Sequence, residues 1–297
     1  MSANSTMTNK DCRTNANSDL SKKIIKYYDE CFIDYRLFWL DSKNLAMHYG
    51  FWDEDTKNHS ESLLHMNRAL GRKLDIKPGD KILDAGCGIG GSSIWLAKNY
   101  DVEITAITLT ASQVDRAREY AKKNGVADQI TFKEADYCNT PFDDESFDIV
   151  WGLESICYAI DKQDFIKEAH RVLRKGGQFV VADGFALKDD FTAEEWPYIQ
   201  AFLDGCVVPN LATVGVFKNG MENCDFNDIQ YTDITKEVMP SSEVLYKKSQ
   251  MTYPIEKVLG WLRIRTATQT GNYYAAKSQY QIFKQGLCGY GIFTGIK

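Results

Sequence analysis

Between residues 81 and 184 the apolar and polar positions alternate in blocks of two different periods. Short apolar runs of buried-strand length occur at 81–85, 103–107, 130–134, 147–152 and 178–183. Between them, 91–99, 111–124 and 162–174 carry apolar residues at helical spacing. Strands fed to one another through helices predict an α/β fold, a parallel, doubly wound sheet with right-handed crossovers. Its ligand belongs at the carboxyl ends of the strands, where the strand order reverses. Lys175-Gly176-Gly177 reads as the turn that ends the third helix. Residues 20–75 precede the sheet and read as an N-terminal helical lid rich in aromatics. Residues 76–297 read as the main domain, with a helical, substrate-side insertion at about 190–287 and one strand at 228–235 within it. The tail 289–296 alternates like a final strand, and residues 1–19, rich in Ser, Asn and Thr, read as a disordered tail.

Composition narrows the classes of function. The chain has 297 residues, 44% of them hydrophobic, enough for one large domain with its own core. A net charge of −6 argues against a nucleic-acid partner, because phosphate neutralisation needs a basic face. No run of 18 apolar residues suggests a membrane span. The eight cysteines form no CxxC pair, and no His/Asp/Glu cluster suggests a metal. The expectation is a cytoplasmic protein, monomer or homodimer, that acts on a small molecule without stable membrane insertion.

The segment 82–91, Ile-Leu-Asp-Ala-Gly-Cys-Gly-Ile-Gly-Gly, carries the chemistry. A strand, a glycine turn and a helix N-terminus form a corner where backbone N–H groups converge on a ligand. Its spacing, Gly86-x-Gly88-x-x-Gly91, also satisfies the dinucleotide fingerprint. Two observations oppose a dinucleotide. Asp84 would repel a pyrophosphate but suits a cationic ligand, such as the ammonium and sulfonium of S-adenosylmethionine. The second strand, 102–110, also ends without the acid that would hold ribose hydroxyls.

These residues resemble the class I S-adenosylmethionine-dependent methyltransferases, well over 75–185 and loosely on the flanks. Asp84-x-Gly86-x-Gly88 is similar to the family's first motif, and Ala135-Asp136-Tyr137 to the segment that holds the adenine. Pro141-Phe142-x-x-x-Ser146-Phe147-Asp148 resembles the run opening strand four, and Leu173-Arg174-Lys175-Gly176-Gly177 the turn before strand five. The resemblance implies a Rossmann-like sheet of seven strands, the last antiparallel. Ile107-Thr108-Leu109-Thr110-x-x-Gln113 is similar to the branch containing tocopherol and sterol methyltransferases and cyclopropane fatty acid synthases. There a hydroxyl residue and a nearby glutamine replace the ribose-binding acid. Glu154-Ser155-Ile156-Cys157-Tyr158 resembles that branch's segment after strand four, where an active-site glutamate occurs, but Tyr158 stands where relatives often carry His. Met47-His48-Tyr49-Gly50-Phe51-Trp52 resembles the segment that closes over the cofactor.

The implied cofactor-binding set is Tyr28, Tyr49, Asp84, Gly86, Gly88, Thr108, Leu109, Gln113, Asp136 and Tyr137. Tyr27, Tyr28, Tyr49 and Trp52 are the aromatic lid candidates, since aromatic faces exclude water and attract cations. Glu154 is expected to accept the acceptor's proton or to stabilise positive charge, with His48 as a second base and Tyr158 beside them. The stretches 196–203 and 207–211, with Met239, Pro240 and Trp261, are the expected acceptor pocket and suit a hydrophobic molecule. The rivals are methylation of an amine held by the acidic stretch 189–195, and a cofactor-binding module without turnover.

Overall fold

The computed structural model describes the backbone at residues 9–40 and 44–297; residues 1–8 of the expected tail lie outside the described residues. Helix α1 spans Asn9–Phe38, so the segment 9–19 is helix, not tail. Ser, Asn and Thr each lose at most about 0.7 kcal/mol relative to alanine in a helix, and extending a formed helix adds one bond per residue. Helix α2 (His59–Gly71) leads into the sheet.

The expected alternation follows: β1 (Lys81–Ala85), α3 (Gly91–Asn99), β2 (Glu103–Thr108), α4 (Ala111–Lys123), β3 (Ile130–Glu134), β4 (Phe147–Leu153), α5 (Lys162–Val172) and β5 (Leu173–Ala186). After it come α6 (Trp196–Cys206), α7 (Val214–Glu222), β6 (Asn227–Asp233), α8 (Thr235–Trp261), α9 (Ala267–Lys284) and β7 (Cys288–Ile296). The seven strands lie in the order β3-β2-β1-β4-β5-β7-β6, with β7 antiparallel to both neighbours. Central strands are buried on both faces: Ile82, Ile104, Ile149 and Val180 point into one core, Leu83, Val150, Phe179 and Val181 into the other. Continuous apolar runs are what a doubly covered parallel sheet requires. Each such side chain contributes about 1.5–3 kcal/mol on burial. The order reverses between β1 and β4, and their carboxyl ends open the crevice.

Two local expectations change. Lys175-Gly176-Gly177 does not cap α5, which ends at Val172. The chain pairs at once as β5, Leu173 with Phe147, steps aside at Gly176 (φ 74°), and resumes with Gln178 beside Ile149. Glycine takes that left-handed conformation without steric cost. The segment 190–287 is also not one insertion. Helix α7 packs against α5, and β6 completes the sheet edge, while α6, α8 and α9 form the cap with α1.

Within the cap, α6 and α9 cross at Gly205, where a Cβ would sit 2.3 Å from the Gly271 carbonyl oxygen and 2.7 Å from the Ala275 Cβ. Overpacking of this kind costs about 1–3 kcal/mol. Gly205→Ala therefore lowers the thermal midpoint by on the order of 5 °C in scanning calorimetry. An unshifted midpoint would mean the two helices slide freely. Helix α1 straps the cap to the sheet: Asp29 accepts from Ser112 on α4 at 2.5 Å, and Asp34 takes both Arg265 guanidinium nitrogens at 2.8 Å.

Candidate active site

At the end of β1 the chain turns through Gly86 (φ 101°) and Gly88 (φ 52°) into α3. A Cβ on Gly86 would lie 2.2 Å from that of Ser155, whose hydroxyl donates to the Ala85 carbonyl, so the loop after β4 rests on bare backbone. At Gly88 the nearest atoms to such a carbon are Met47 Sδ at 3.8 Å and Gln113 Nε2 at 4.0 Å. Those are ordinary van der Waals contacts, and the Gly86 and Cys87 N–H groups both donate to the Ile107 carbonyl, so the part of the cradle left uncrowded for a ligand is the backbone at Gly88.

Asp84 is 2% exposed, and its Oδ2 accepts the Ser93 hydroxyl at 2.5 Å. Burial pushes its pKa up to about 6, against the pull of the Ser93 hydroxyl and backbone N–H. Both partners are neutral, so a cation nearby would favour the ionised carboxyl. Around the corner, the Thr108 hydroxyl donates to Gln113 Oε1 at 2.7 Å, which leaves the Gln113 amide donor near Gly88. Leu109, Asp136 and Tyr137 border a narrow void of about 30 Å³, roofed by Leu20 and Ile24 of α1. Asp136 accepts the Cys138 N–H at 2.8 Å. The Tyr137 hydroxyl donates to the Ser155 carbonyl at 2.7 Å and its ring packs edge-on against Phe165, which makes it a support beneath the loop.

Beyond the corner lies a cavity of about 540 Å³, enclosed by the cap, the 47–49 segment and the ends of β4, β5 and β7. Its walls include Tyr28, Trp39, Phe202, Leu245, Ile282 and Phe283. Glu154 borders it at the end of β4 in a left-handed conformation (φ 49°). Its Oε1 accepts the Tyr49 N–H at 2.6 Å and the Tyr290 hydroxyl at 2.8 Å. Burial pushes its pKa up to about 8; the two hydrogen bonds lower it, and nearby Asp183 adds to the rise. The same Tyr49 residue holds His48, whose Nδ1 lies 2.8 Å from the Tyr49 carbonyl. A carbonyl only accepts, so the proton sits on Nδ1 and Nε2 carries the lone pair. Nε2 has no partner among the described residues, and burial lowers the imidazole pKa to about 4. Tyr158 borders both the narrow void and the cavity, with its hydroxyl 3.0 Å from that of Tyr28.

A glycine cradle, a buried carboxylate beside it and an adjoining apolar cavity have counterparts in known proteins. Residues 83–181 match the family model described as a methyltransferase domain. An O-methyltransferase of Penicillium expansum is 31% identical over 68% of this chain and 72% of its own. The chloroplastic tocopherol O-methyltransferase of Arabidopsis thaliana is 30% identical over 74% of this chain and 67% of its own. The chain belongs to the S-adenosylmethionine-dependent methyltransferases. A solved cyclopropane synthase of Mycobacterium tuberculosis shares the fold, with a TM-score of 0.79 over 93% of this chain and 98% of that one, at 16% identity.

Of the lid candidates in this methyltransferase, Tyr28 and Tyr49 line the cavity. Tyr27 is instead buried, bonded through its hydroxyl to Asn272 at 2.7 Å, and Trp52 ties its backbone to Glu237 on α8 at 3.0 Å. Of the expected acceptor stretch, Phe202, Val208 and Leu211 reach the cavity, but Trp196 and Trp261 are 47% and 82% exposed. Residues 189–195 contribute nothing to its walls. Among the polar wall residues that the sequence did not single out are Asp183, Gln279 and Tyr290. Asp183 ends an apolar run just as Asp84 does, and that signal was available. Asp183 accepts the N–H groups of Cys157 and Gly184 at 2.9 and 2.8 Å, and burial pushes its pKa up to about 6. Gln279, mid-helix, accepts from Tyr49 and Ser242 at 2.8 and 2.6 Å, and only the packing of α8 on α9 shows it.

Proposed function

We propose that this methyltransferase methylates a hydroxyl oxygen on a small lipophilic molecule, a ring or prenyl-like compound, with Glu154 as proton acceptor. The observation that supports it most is the placement of Glu154, a carboxylate whose pKa burial pushes up to about 8, on the wall of a largely apolar cavity of about 540 Å³. A base with a pKa near the working pH is the effective one for proton transfer. The names of the two relatives above, both O-methyltransferases, are in keeping with this reading.

The residues at the corner fit S-adenosylmethionine. Gly88 offers bare backbone, Gly86 lets the loop after β4 pack against the turn, Asp84 favours a cation, Gln113 keeps a free amide donor beside Thr108, and Leu109 with Asp136 borders the void where a planar ring would enter. Tyr137 supports that wall, while Tyr28 and Tyr49 close the side shared with the cavity. When bound, this cofactor supplies an electrophilic methyl group on a sulfonium. The chain's own share is positioning and proton removal. The aromatic walls hold the acceptor in line and exclude water. Glu154 takes the hydroxyl proton as the oxygen becomes acidic, and His48, whose Nε2 is buried away from solvent, shapes the wall beside it.

A panel of phenols, isoprenoid alcohols and small amines, assayed with methyl-labelled cofactor, tests this. Label is expected in a lipophilic hydroxyl compound as a base-stable ether. Transfer to amines alone would overturn it, and no transfer to any acceptor would favour a binding module. Nothing from 189–195 faces the cavity to hold an ammonium.

A further inference from the structure

We propose that the rim of the acceptor cavity is a docking surface for an anionic lipid bilayer, from which a lipophilic acceptor enters the protein directly. This rests on the proposed lipophilic acceptor for its purpose, but the surface itself is tested without any acceptor.

The rim is built from the ends of α1 and α8 and the turn into α9. Ile33, Leu37, Ile255 and Ile264 all line the cavity, and they are 41%, 64%, 60% and 63% exposed, so they stand at its opening. The apolar surface continues outward along α8. Met251, Ile255, Val258 and Leu262 fall at i, i+4, i+7 and i+11, one helical stripe, with 50% to 79% exposure. Trp261 beside them is 82% exposed. Single exposed apolar residues are ordinary, but a contiguous patch around a cavity mouth marks a surface that is covered in use.

Charge selects the occupant. The chain as a whole carries −6, yet residues 257–297 contain six Lys or Arg and no Asp or Glu. Lys257 and Arg263 are exposed beside the apolar stripe, and Lys277 is exposed on α9. The acids that face this region are offset only in part: Asp34 and Glu256 share one guanidinium, and Glu30 has Lys26 at 3.8 Å. Asp34 and Glu256 pair with Arg265 at 2.8 and 2.7 Å, and Glu30 accepts from Thr266 at 2.5 Å. An apolar stripe with an aromatic at its end and a basic margin is the pattern that lies in a membrane interface, held by apolar burial and by attraction to anionic headgroups. The position of the mouth agrees. A rigid protein seated on the rim would seal the cavity, whereas a bilayer covers the same residues and supplies a lipophilic molecule. No helix among the described residues is long and apolar enough to cross a membrane, so the contact is peripheral.

The test is co-sedimentation of the full chain with phosphatidylcholine vesicles, with and without a quarter phosphatidylglycerol, at physiological salt. Binding is expected to the anionic vesicles and to be at least tenfold weaker to the neutral ones. The charge pair Lys257→Glu/Arg263→Glu and the apolar pair Val258→Ser/Trp261→Ser are each expected to weaken it at least tenfold. These positions are exposed, so an unchanged thermal midpoint shows that both variants fold. Trp261 emission should shift to the blue on binding, a change that Trp261→Phe abolishes. Failure to sediment with anionic vesicles would overturn the proposal, as would binding that both variants retain. So would a concentration-dependent dimer that Val258→Ser/Trp261→Ser dissolves, because a second copy would then be the cover. Vesicle binding alongside label transfer only to amines would sink the acceptor reading and leave the surface standing.

Discussion

Glu154→Gln is expected to lower turnover by about 10²- to 10⁴-fold, the usual worth of a positioned general base, while leaving cofactor affinity within about twofold. The amide keeps an oxygen to accept the Tyr49 N–H and the Tyr290 hydroxyl, so the local structure holds. What it loses is the ability to take a proton. The pH dependence separates this role from a structural one. The active form is the carboxylate, and its pKa is pushed up to about 8, so kcat/KM should rise with pH and reach half its plateau near that value. A nearby positive charge stabilises the carboxylate, so the same limb in kcat, measured with cofactor bound, should lie at lower pH. The residual activity of the glutamine variant should lack the limb. Equal turnover in variant and parent would remove Glu154 from the mechanism.

Asp84→Ala has the second large effect. Its carboxylate is the acceptor for both the Ser93 hydroxyl and the Ser93 backbone N–H, in the first turn of α3. Removing it leaves two buried donors unpaired, at about 1–3 kcal/mol each, and frees the turn that presents the glycine backbone. Titration calorimetry with S-adenosylmethionine should show affinity at least tenfold weaker in Asp84→Ala. Asp84→Asn retains one acceptor and should lose less stability while still losing affinity, because it drops the charge that a sulfonium or ammonium favours. The parent's affinity should rise as pH increases through about 6, where the Asp84 carboxyl ionises; the sign follows from its raised pKa. A pH-independent affinity in the parent would separate Asp84 from the cation.

The cofactor side of the site was legible because it is local in the chain. Asp84, Gly86 and Gly88 lie within five residues, and Thr108 and Gln113 within six, so strand-turn-helix geometry alone converges them. The acceptor side was legible only in part. Glu154 directly follows β4 and Asp183 lies near the end of β5, on the side of the sheet that a topological switch makes functional, yet Tyr290 and Gln279 carry no mark of their own. Trp261 shows the opposite error: hydrophobicity assigned it to the pocket, and it stands 82% exposed on the outer face of α8.

By itself, the sequence determined the alternation of strands and helices, the reading of both sheet faces as buried, and the cofactor corner. Each depends on periodicity or on spacing within one turn, which the covalent chain dictates directly. Tertiary structure alone decided how α1, α6, α8 and α9 enclose the cavity, and that one residue, Tyr49, holds Glu154 through its N–H and His48 through its carbonyl. The bonds to Glu154 join residues about a hundred positions or more apart, Tyr49 with Glu154 and Tyr290 with Glu154. No local pattern encodes such pairings; they exist only once the sheet order has brought the strand ends together beneath the cap.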